Sequence, residues 1–338
     1  MIVKESKSVT IYNIAEEAGV SASTVSRVIN QKKGVKRQTR ERVLALLEKY
    51  NYSPDVAARS LVSGETRIIG ILVADIRVMH YTEGAYIIER EFAQRGYDSL
   101  IFNTGTDDPS KRKCIESLAA RKPSAAVMIG STFQSDEVRR CIEQYLSDIP
   151  VVMANGFFEM PNVYGVLTDE MEGVQDCVRF LCGKGRRRIA FVNDATTVSS
   201  MLKEKGYLTG IARYCSGQEP IVARFQQTGC IQQSSEVTQA LLKEHPGIDA
   251  IIYATDLIAA GALAGIRAMG LSVPGDIAVI GIDNSIYAEI CYPTLTSLDN
   301  QLLALNVSCA GMVLNVLDGK PVPQKAMVYS KIVERGST

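Results

Sequence analysis

The stretch SASTVSRVIN, residues 21–30, decides how the rest of the chain is read. Wound as a helix at about 100° per residue, it puts Val25, Val28 and Ile29 on one arc, and Ala22, Ser23, Ser26 and Arg27 on the opposite one. The outer face is unusually small, and Ser21 can cap the first turn. Just upstream, Ile11, Ile14, Ala15 and Ala18 repeat at helical spacing behind Thr10, a second cap candidate. Gly19-Val20 leaves room only for a tight connection. Two short helices joined this way predict a helix-turn-helix, whose second helix enters a DNA major groove. Small Ala22 and Ser23 let the backbone approach base edges, and Arg27 can reach a guanine or a phosphate.

An ordinary helical hairpin with a small polar face would look the same over these residues alone. The neighbouring charge separates the two readings. Residues 27–42 hold Arg27, Lys32, Lys33, Lys36, Arg37, Arg40 and Arg42 against the single acid Glu41, although the whole chain carries a net charge of zero. Phosphate contact needs such a local excess, not a basic protein. The expected contacts within this head are Thr10, Tyr12, Ser21, Ala22, Ser23, Thr24, Ser26, Arg27, Asn30, Lys32 and Lys33.

At 338 residues with 46% apolar composition, two or three domains with sizeable cores are expected. MIVKESKS lacks the apolar centre of a signal peptide, and no apolar run approaches about 18 residues, so a cytoplasmic protein without membrane contact is expected. The eight cysteines (114, 141, 177, 182, 215, 230, 291 and 309) include no C-x-x-C pair, and a disulfide framework is not expected. His80 and His245 are the only histidines and have no partners at ligand spacing, so no metal and no cofactor are expected.

A third helix near 38–51, with Val43, Leu46, Leu47 and Tyr50 inward, completes the head. Ser53-Pro54-Asp55 then starts another helix, which stops at Gly64. About eight residues do not hold a helix in water, so this one should fold only on a partner.

The segments TIYNIAEEAGVSASTVSRVIN, TRERVLALLEKYNYSPDVAARSL and IIGILVADI resemble the lactose-repressor/galactose-repressor family of bacterial transcription regulators. The likeness continues through RIAFV, GALAGIRAMGLSVPGDIAVIGIDN and PTLTSL, and so spans nearly the whole chain in order. It implies a DNA-binding head, a hinge helix that folds on the operator, and a two-lobed core that dimerises and binds a small molecule. It also implies that a hinge leucine, here Leu61 in Ala57-Ala58-Arg59-Ser60-Leu61, wedges into the minor groove beside Ala58.

Beyond residue 67 apolar runs alternate with helical patterns: strands at 68–73, 100–102, 125–129 and 151–154, with helices near 82–95, 110–121 and 135–147 between them. A second series begins around Val166 and includes runs at 189–192, 250–253 and 278–281. This order predicts two doubly wound parallel-sheet lobes behind an all-α head. The expected division is a head at 8–52, a hinge at 53–66 and a core at 67–338. Lobe 1 spans about 67–165 and 299–326, and lobe 2 about 166–298 and 327–338. By the resemblance the chain crosses between lobes three times, and a last helix near 300–318 returns to the first.

Enzymatic chemistry finds no motif. Gly183-Lys184-Gly185 runs into Arg186-Arg187-Arg188 where a dinucleotide loop needs a third glycine, and no phosphate loop or H-E-x-x-H occurs. The alternatives are a sugar- or nucleoside-binding protein without a regulatory role, against whose free-standing form the lack of an export signal argues, and an architectural DNA protein, for which a two-lobed core is unnecessary.

Open parallel sheets bind ligands at the carboxyl ends of their strands. Asp75, Asn103-Thr104, Asn155, Thr255-Asp256 and Asp283-Asn284 all follow apolar strands, although any one of them could simply cap its own loop. The resemblance implies ligand contacts at His80 and Tyr81, where aromatic stacking is common, and at Asn155, where an acid is frequent. It implies others at Lys203 in place of arginine, Thr255 in place of asparagine, Asp283, and Asn300 in place of glutamine. The expectation is a homodimeric, effector-responsive repressor, or a higher oligomer built on that dimer, that binds double-stranded operator DNA and a sugar or related metabolite.

Overall fold

The computed structural model describes residues 9–29, 32–50, 52, 66–215, 217–225 and 231–338, and the chain divides into two compact units, Met1–Thr66 and Arg67–Thr338. Asn30, Ala58, Leu61 and most of the expected hinge lie outside the described residues.

In the first unit α1 (Ile11–Ala18), α2 (Ala22–Ile29) and α3 (Arg37–Lys49) enclose a small core of Ile14, Ala15, Ala18, Val25, Val28 and Val43. Thr10 caps α1: its hydroxyl accepts from the Asn13 N–H at 3.4 Å and the Asn13 side chain accepts from the Thr10 N–H at 2.9 Å. Gly19 ends α1 at φ 63°, a left-handed conformation that a side chain would strain, and this sets the angle at which α2 leaves. Glu17 on α1 accepts from Lys49 at 2.7 Å and from the Tyr50 hydroxyl, and both bonds hold its carboxyl below the usual carboxylate range. Tyr50, expected inward, thus fastens α3 to α1 through its polar end.

The second unit holds two six-stranded sheets. The first has the order β11-β5-β4-β3-β1-β2, built from β1 (Ile68–Val73), β2 (Asp98–Asn103), β3 (Ala125–Ile129), β4 (Val151–Ala154), β5 (Val163–Thr168) and β11 (Lys325–Val328), all parallel. The second has the order β12-β10-β9-β8-β6-β7, from β6 (Ile189–Asn193), β7 (Ile221–Arg224), β8 (Ala250–Tyr253), β9 (Ala278–Ile282), β10 (Thr296–Asp299) and β12 (Lys331–Val333). Only β12 runs antiparallel. The central strands read as unbroken apolar runs because helices cover both faces, while edge strands β2 and β11 keep exposed positions. Each fully buried Ile, Val or Phe of these strands contributes about 1.5–3 kcal/mol over its exposed state.

The helices of the first lobe are α4 (Met79–Gln94), α5 (Asp108–Ala119), α6 (Asp136–Tyr145) and α12 (Leu302–Leu317), with a short 3-10 turn at Ser131–Phe133. Those of the second are α7 (Glu170–Gly183), α8 (Val198–Tyr214), α9 (Ile231–Glu244), α10 (Asp256–Ala268) and α11 (Ile286–Ile290). The expected helices near 38–51, 82–95, 110–121, 135–147 and 300–318 each start within three residues of the observed ones, and the expected hinge helix lies outside the described residues. Val166, where the second lobe was expected to begin, lies inside β5, which pairs with β4 and β11 in the first sheet. The apolar run alone cannot say which sheet it joins; its hydrogen-bonding partner does. The crossings fall at 169, 300 and 329–330, three in number, and α12 does return to the first lobe.

Cys182 and Cys215, at the ends of the closely packed α7 and α8, form a disulfide pair with Cα atoms 6.9 Å apart, across a separation of 33 residues that carried no local signal. Among the described residues Cys114, Cys141, Cys177, Cys291 and Cys309 are free thiols.

Candidate functional site

Two surfaces carry the chemistry, one in each unit. On α2, Val25 and Val28 anchor the helix inward, so Ser21, Ser23 and Arg27 stand exposed and Thr24 and Ser26 half-exposed. The Ser21 hydroxyl accepts from the Thr24 N–H at 3.3 Å and lies 2.8 Å from Ser23 Oγ and 2.9 Å from Thr24 Oγ1. These three hydroxyls frame the positive end of the helix, where backbone N–H groups favour an anion. Ala22 is half-buried against the head's core, so it lends closeness more than contact. Lys32 and Lys33 are exposed beyond α2, and Arg40 holds that segment through the Lys32 carbonyl at 2.7 Å. On α1 Tyr12 is 73% exposed, while the Thr10 hydroxyl is engaged with Asn13.

In the second unit the polar strand ends of the two lobes meet, and the space between them is the candidate ligand site. Three hydrogen bonds tie the crossing segments: Thr168 Oγ1 donates to the Asn300 carbonyl at 3.4 Å, and Ser330 Oγ lies 3.3 Å from Asn300 Oδ1 and 3.5 Å from the Asp169 carbonyl. Farther along, the Ser199 N–H on α8 donates to Ser131 Oγ in the first lobe at 3.1 Å, bridging the two.

Of the predicted ligand residues, Tyr81, Lys203, Asp283 and Asn300 come together. Asn300 Nδ2 donates to Asp283 Oδ1 at 3.1 Å. Burial, followed by the charges of Asp283, Asp75 and Asp194, pushes the Tyr81 phenol up to about 12, so it remains a donor. His80 packs edge-on to Tyr81 with centroids 5.6 Å apart. Lys203 is 7% exposed and donates to the Ala254 carbonyl at 3.0 Å, with Glu170 Oε1 at 3.8 Å. Burial alone would lower its pKa; the carboxylates of Asp283, Glu170, Asp194 and Asp256 together outweigh that and raise it.

Other predicted residues serve their own loops. Asn103 Oδ1 accepts from the Ile76 N–H at 2.9 Å, Asn155 Oδ1 from the Thr168 N–H at 3.2 Å, and Thr255 Oγ1 caps α10 through the Ile258 N–H at 3.4 Å. Asn155 sits at φ 58°, which asparagine tolerates better than most residues. Asp75 is held by Arg77, whose side-chain and backbone bonds bring its carboxyl down to about 2.

The sequence reading missed Glu170, Asp194 and Ser199 and left Asp256 aside. Asp194 follows β6 as the other polar residues follow their strands, so the same rule could have found it. Glu170 and Ser199 open helices and carried no such signal. Asp256 accepts from Ser297 Oγ at 2.6 Å, from the Ser285 N–H at 2.7 Å and from Ser285 Oγ at 3.0 Å, tying the segments after β8 and β9 to β10. A Cβ at Gly281 would collide with its Oδ1, so that close approach requires glycine. Burial and then the Asp283 charge push the Asp256 carboxyl up to about 7, against the pull of the serine donors.

Comparison with known proteins covers both units. Residues 10–55 match the model of bacterial regulatory proteins of the lacI family, and residues 178–338 a periplasmic binding protein-like domain. An HTH-type transcriptional regulator of Lachnoclostridium phytofermentans is 30% identical over 332 residues, covering 97% of this chain and 99% of the relative. Catabolite control protein A of Priestia megaterium is 30% identical over 293 residues, 86% of each chain. The crystal structure of the lac repressor dimer bound to operator and an anti-inducer superposes with a TM-score of 0.89 at 24% identity, covering 98% of this chain and 99% of that one, a likeness of fold. A head that presents a small polar helix face, a two-lobed core and a relative matched from end to end place the chain in the LacI family of bacterial regulatory proteins, as a DNA-binding transcriptional regulator.

Proposed function

We propose that this regulator is a homodimeric repressor that reads a near-palindromic operator through α2 and is controlled by a small molecule held between its lobes. The division is a head at 8–52, a hinge at 53–66 and a core at 67–338, which the break in compactness between Thr66 and Arg67 supports. The observation that carries the reading is the exposed Ser21, Ser23 and Arg27 face of α2, held outward by buried Val25 and Val28 in a chain whose second unit brings polar strand ends of two lobes together. Ala58 and Leu61 would act in the minor groove once the hinge folds on DNA, as an apolar wedge unstacks a base step. The catabolite control protein and lac repressor named above make regulation by binding, not catalysis, the natural mode of action.

A two-fold axis pairs two recognition helices with two half-sites, and one helix alone reads only a few base pairs. Exposed apolar side chains suit self-association: Ile76, Val78 and Tyr86 in the first lobe, and Ile290 and Tyr292, 69% and 83% exposed, in the second. Such a protein works in the cytoplasm, where its operator is, and among the described residues no helix is long and apolar enough to cross a membrane.

Selection from random duplexes, followed by anisotropy titration, tests this. The expected result is a near-palindromic site that a metabolite modulates. Arg27→Ala should weaken that site by about 1–3 kcal/mol and relax one base position, while leaving the melting temperature unchanged. Binding without sequence preference, or as a monomer, would refute the proposal.

A further inference from the structure

Buried acceptors without hydrogen-bond partners lie at and beside the acidic cluster around Lys203, and this bears on what the site can hold. Glu170 is 3% exposed, takes the Ser199 hydroxyl on Oε1, and keeps Oε2 buried without a hydrogen-bond partner. The carboxylate lies where the first crossing enters the second lobe, beside Ser199, which bridges to the first lobe through Ser131. A second buried acceptor at these strand ends, Asn193 Oδ1, also lacks a partner. Asp283 is half-exposed and receives one bond from Asn300 on Oδ1. Lys203 is surrounded by the carboxylates of Asp283, Glu170, Asp194 and Asp256, four against one.

Among the described residues the positive groups near these strand ends already have partners, Arg335 among them through Asn284, the Leu295 carbonyl and Glu289. Lys203 donates to the Ala254 carbonyl, Arg77 is paired with Asp75, and Lys111 is bound to the Thr132 carbonyl and Asp108. Gln301 Nε2 is a buried donor without a partner, but it is neutral and offsets no charge. A ligand that brings further negative charge would be repelled. A neutral polyol could satisfy acceptors but would close the lobes over uncompensated carboxylates, which is unfavourable in a buried site. An ammonium group offers three donors and a charge at once.

We propose that the effector is a small hydroxylated amine, cationic at neutral pH, whose ammonium group is received by Glu170 and Asp283 while its hydroxyls meet Asn300, Lys203 and Tyr81. This rests on the reading of the cleft as the effector site. An amino sugar has the required chemistry.

Calorimetry and thermal shift on the full-length protein test it with matched probes in three series: D-glucose, D-galactose and D-mannose, each beside its 2-amino and 6-phosphate derivatives. In at least one series the amine should bind about tenfold or more tighter than its neutral parent, with no binding of the phosphate. Raising salt from about 0.05 M to about 0.5 M should narrow the gap. Glu170→Gln and Asp283→Asn should each shrink it toward unity without weakening the neutral sugar to the same degree. The two residues lie on different strand ends, so either variant serves if the other does not fold. Tighter binding of a neutral or phosphorylated sugar, or a preference that survives both substitutions, overturns the amine and leaves the cleft as an effector site. If no probe of any charge raises the melting temperature, the proposed effector cleft falls with it.

Discussion

The two walls of the cleft are built differently. In the first lobe the polar residues that follow the strands mostly support their own loops: Asn103 holds the Ile76 amide, Asn155 the Thr168 amide, and Asp75 pairs with Arg77. In the second lobe and its entry segment, polar residues from five elements converge on one buried cluster, with Lys203 among Glu170, Asp194, Asp256 and Asp283. The first wall is a frame, and the second holds the charge. Ligand choice and electrostatic strain should therefore both reside in the second lobe, where each residue depends on the others.

Lys203 gives the strongest test of that difference. Lys203→Met removes the cation at the centre of the cluster of Glu170, Asp194, Asp256 and half-exposed Asp283 and should destabilise the core by about 3–5 kcal/mol, read from urea denaturation. A loss below about 1 kcal/mol would mean that water already compensates the cluster, and the two walls would then be alike.

Asp256 gives a pH-dependent test. Its folded-state pKa of about 7 lies above the ordinary value of 3.8, so the folded chain holds its proton more tightly than the unfolded one. That contribution is fully present below the ordinary carboxylate value and is lost as pH rises through about 7. Between about pH 6 and about pH 8 the core should lose about 1 kcal/mol from this group, and Asp256→Asn should flatten that slope. An unchanged slope in the variant would assign the pH dependence elsewhere.

The smallest effect is expected in the first wall. Asn103→Ala removes one brace of an exposed loop and should reduce stability by about 1 kcal/mol or less, with effector affinity within about twofold of the parent. A tenfold loss of affinity would make Asn103 a ligand contact and erase the contrast between the walls.

What could be read from the sequence alone follows from local rules. Helical spacing around Val25 and Val28, the Thr10 and Ser21 caps and Gly19 specified the head, because caps and periodicity act within a few residues. Apolar runs specified most of the strands, since central parallel strands are buried on both faces. The same rule picked polar residues at strand ends but could not say which face a ligand and which brace a loop. That depended on bonds between separate elements, such as Asn155 to Thr168 across 13 residues and Asp283 to Asn300 across 17. Strand partnership assigned β5 to the first lobe, and helix packing brought Cys182 to Cys215. The acid cluster around Lys203 was equally invisible, because its members lie far apart in the chain and a field adds in space, not along the sequence.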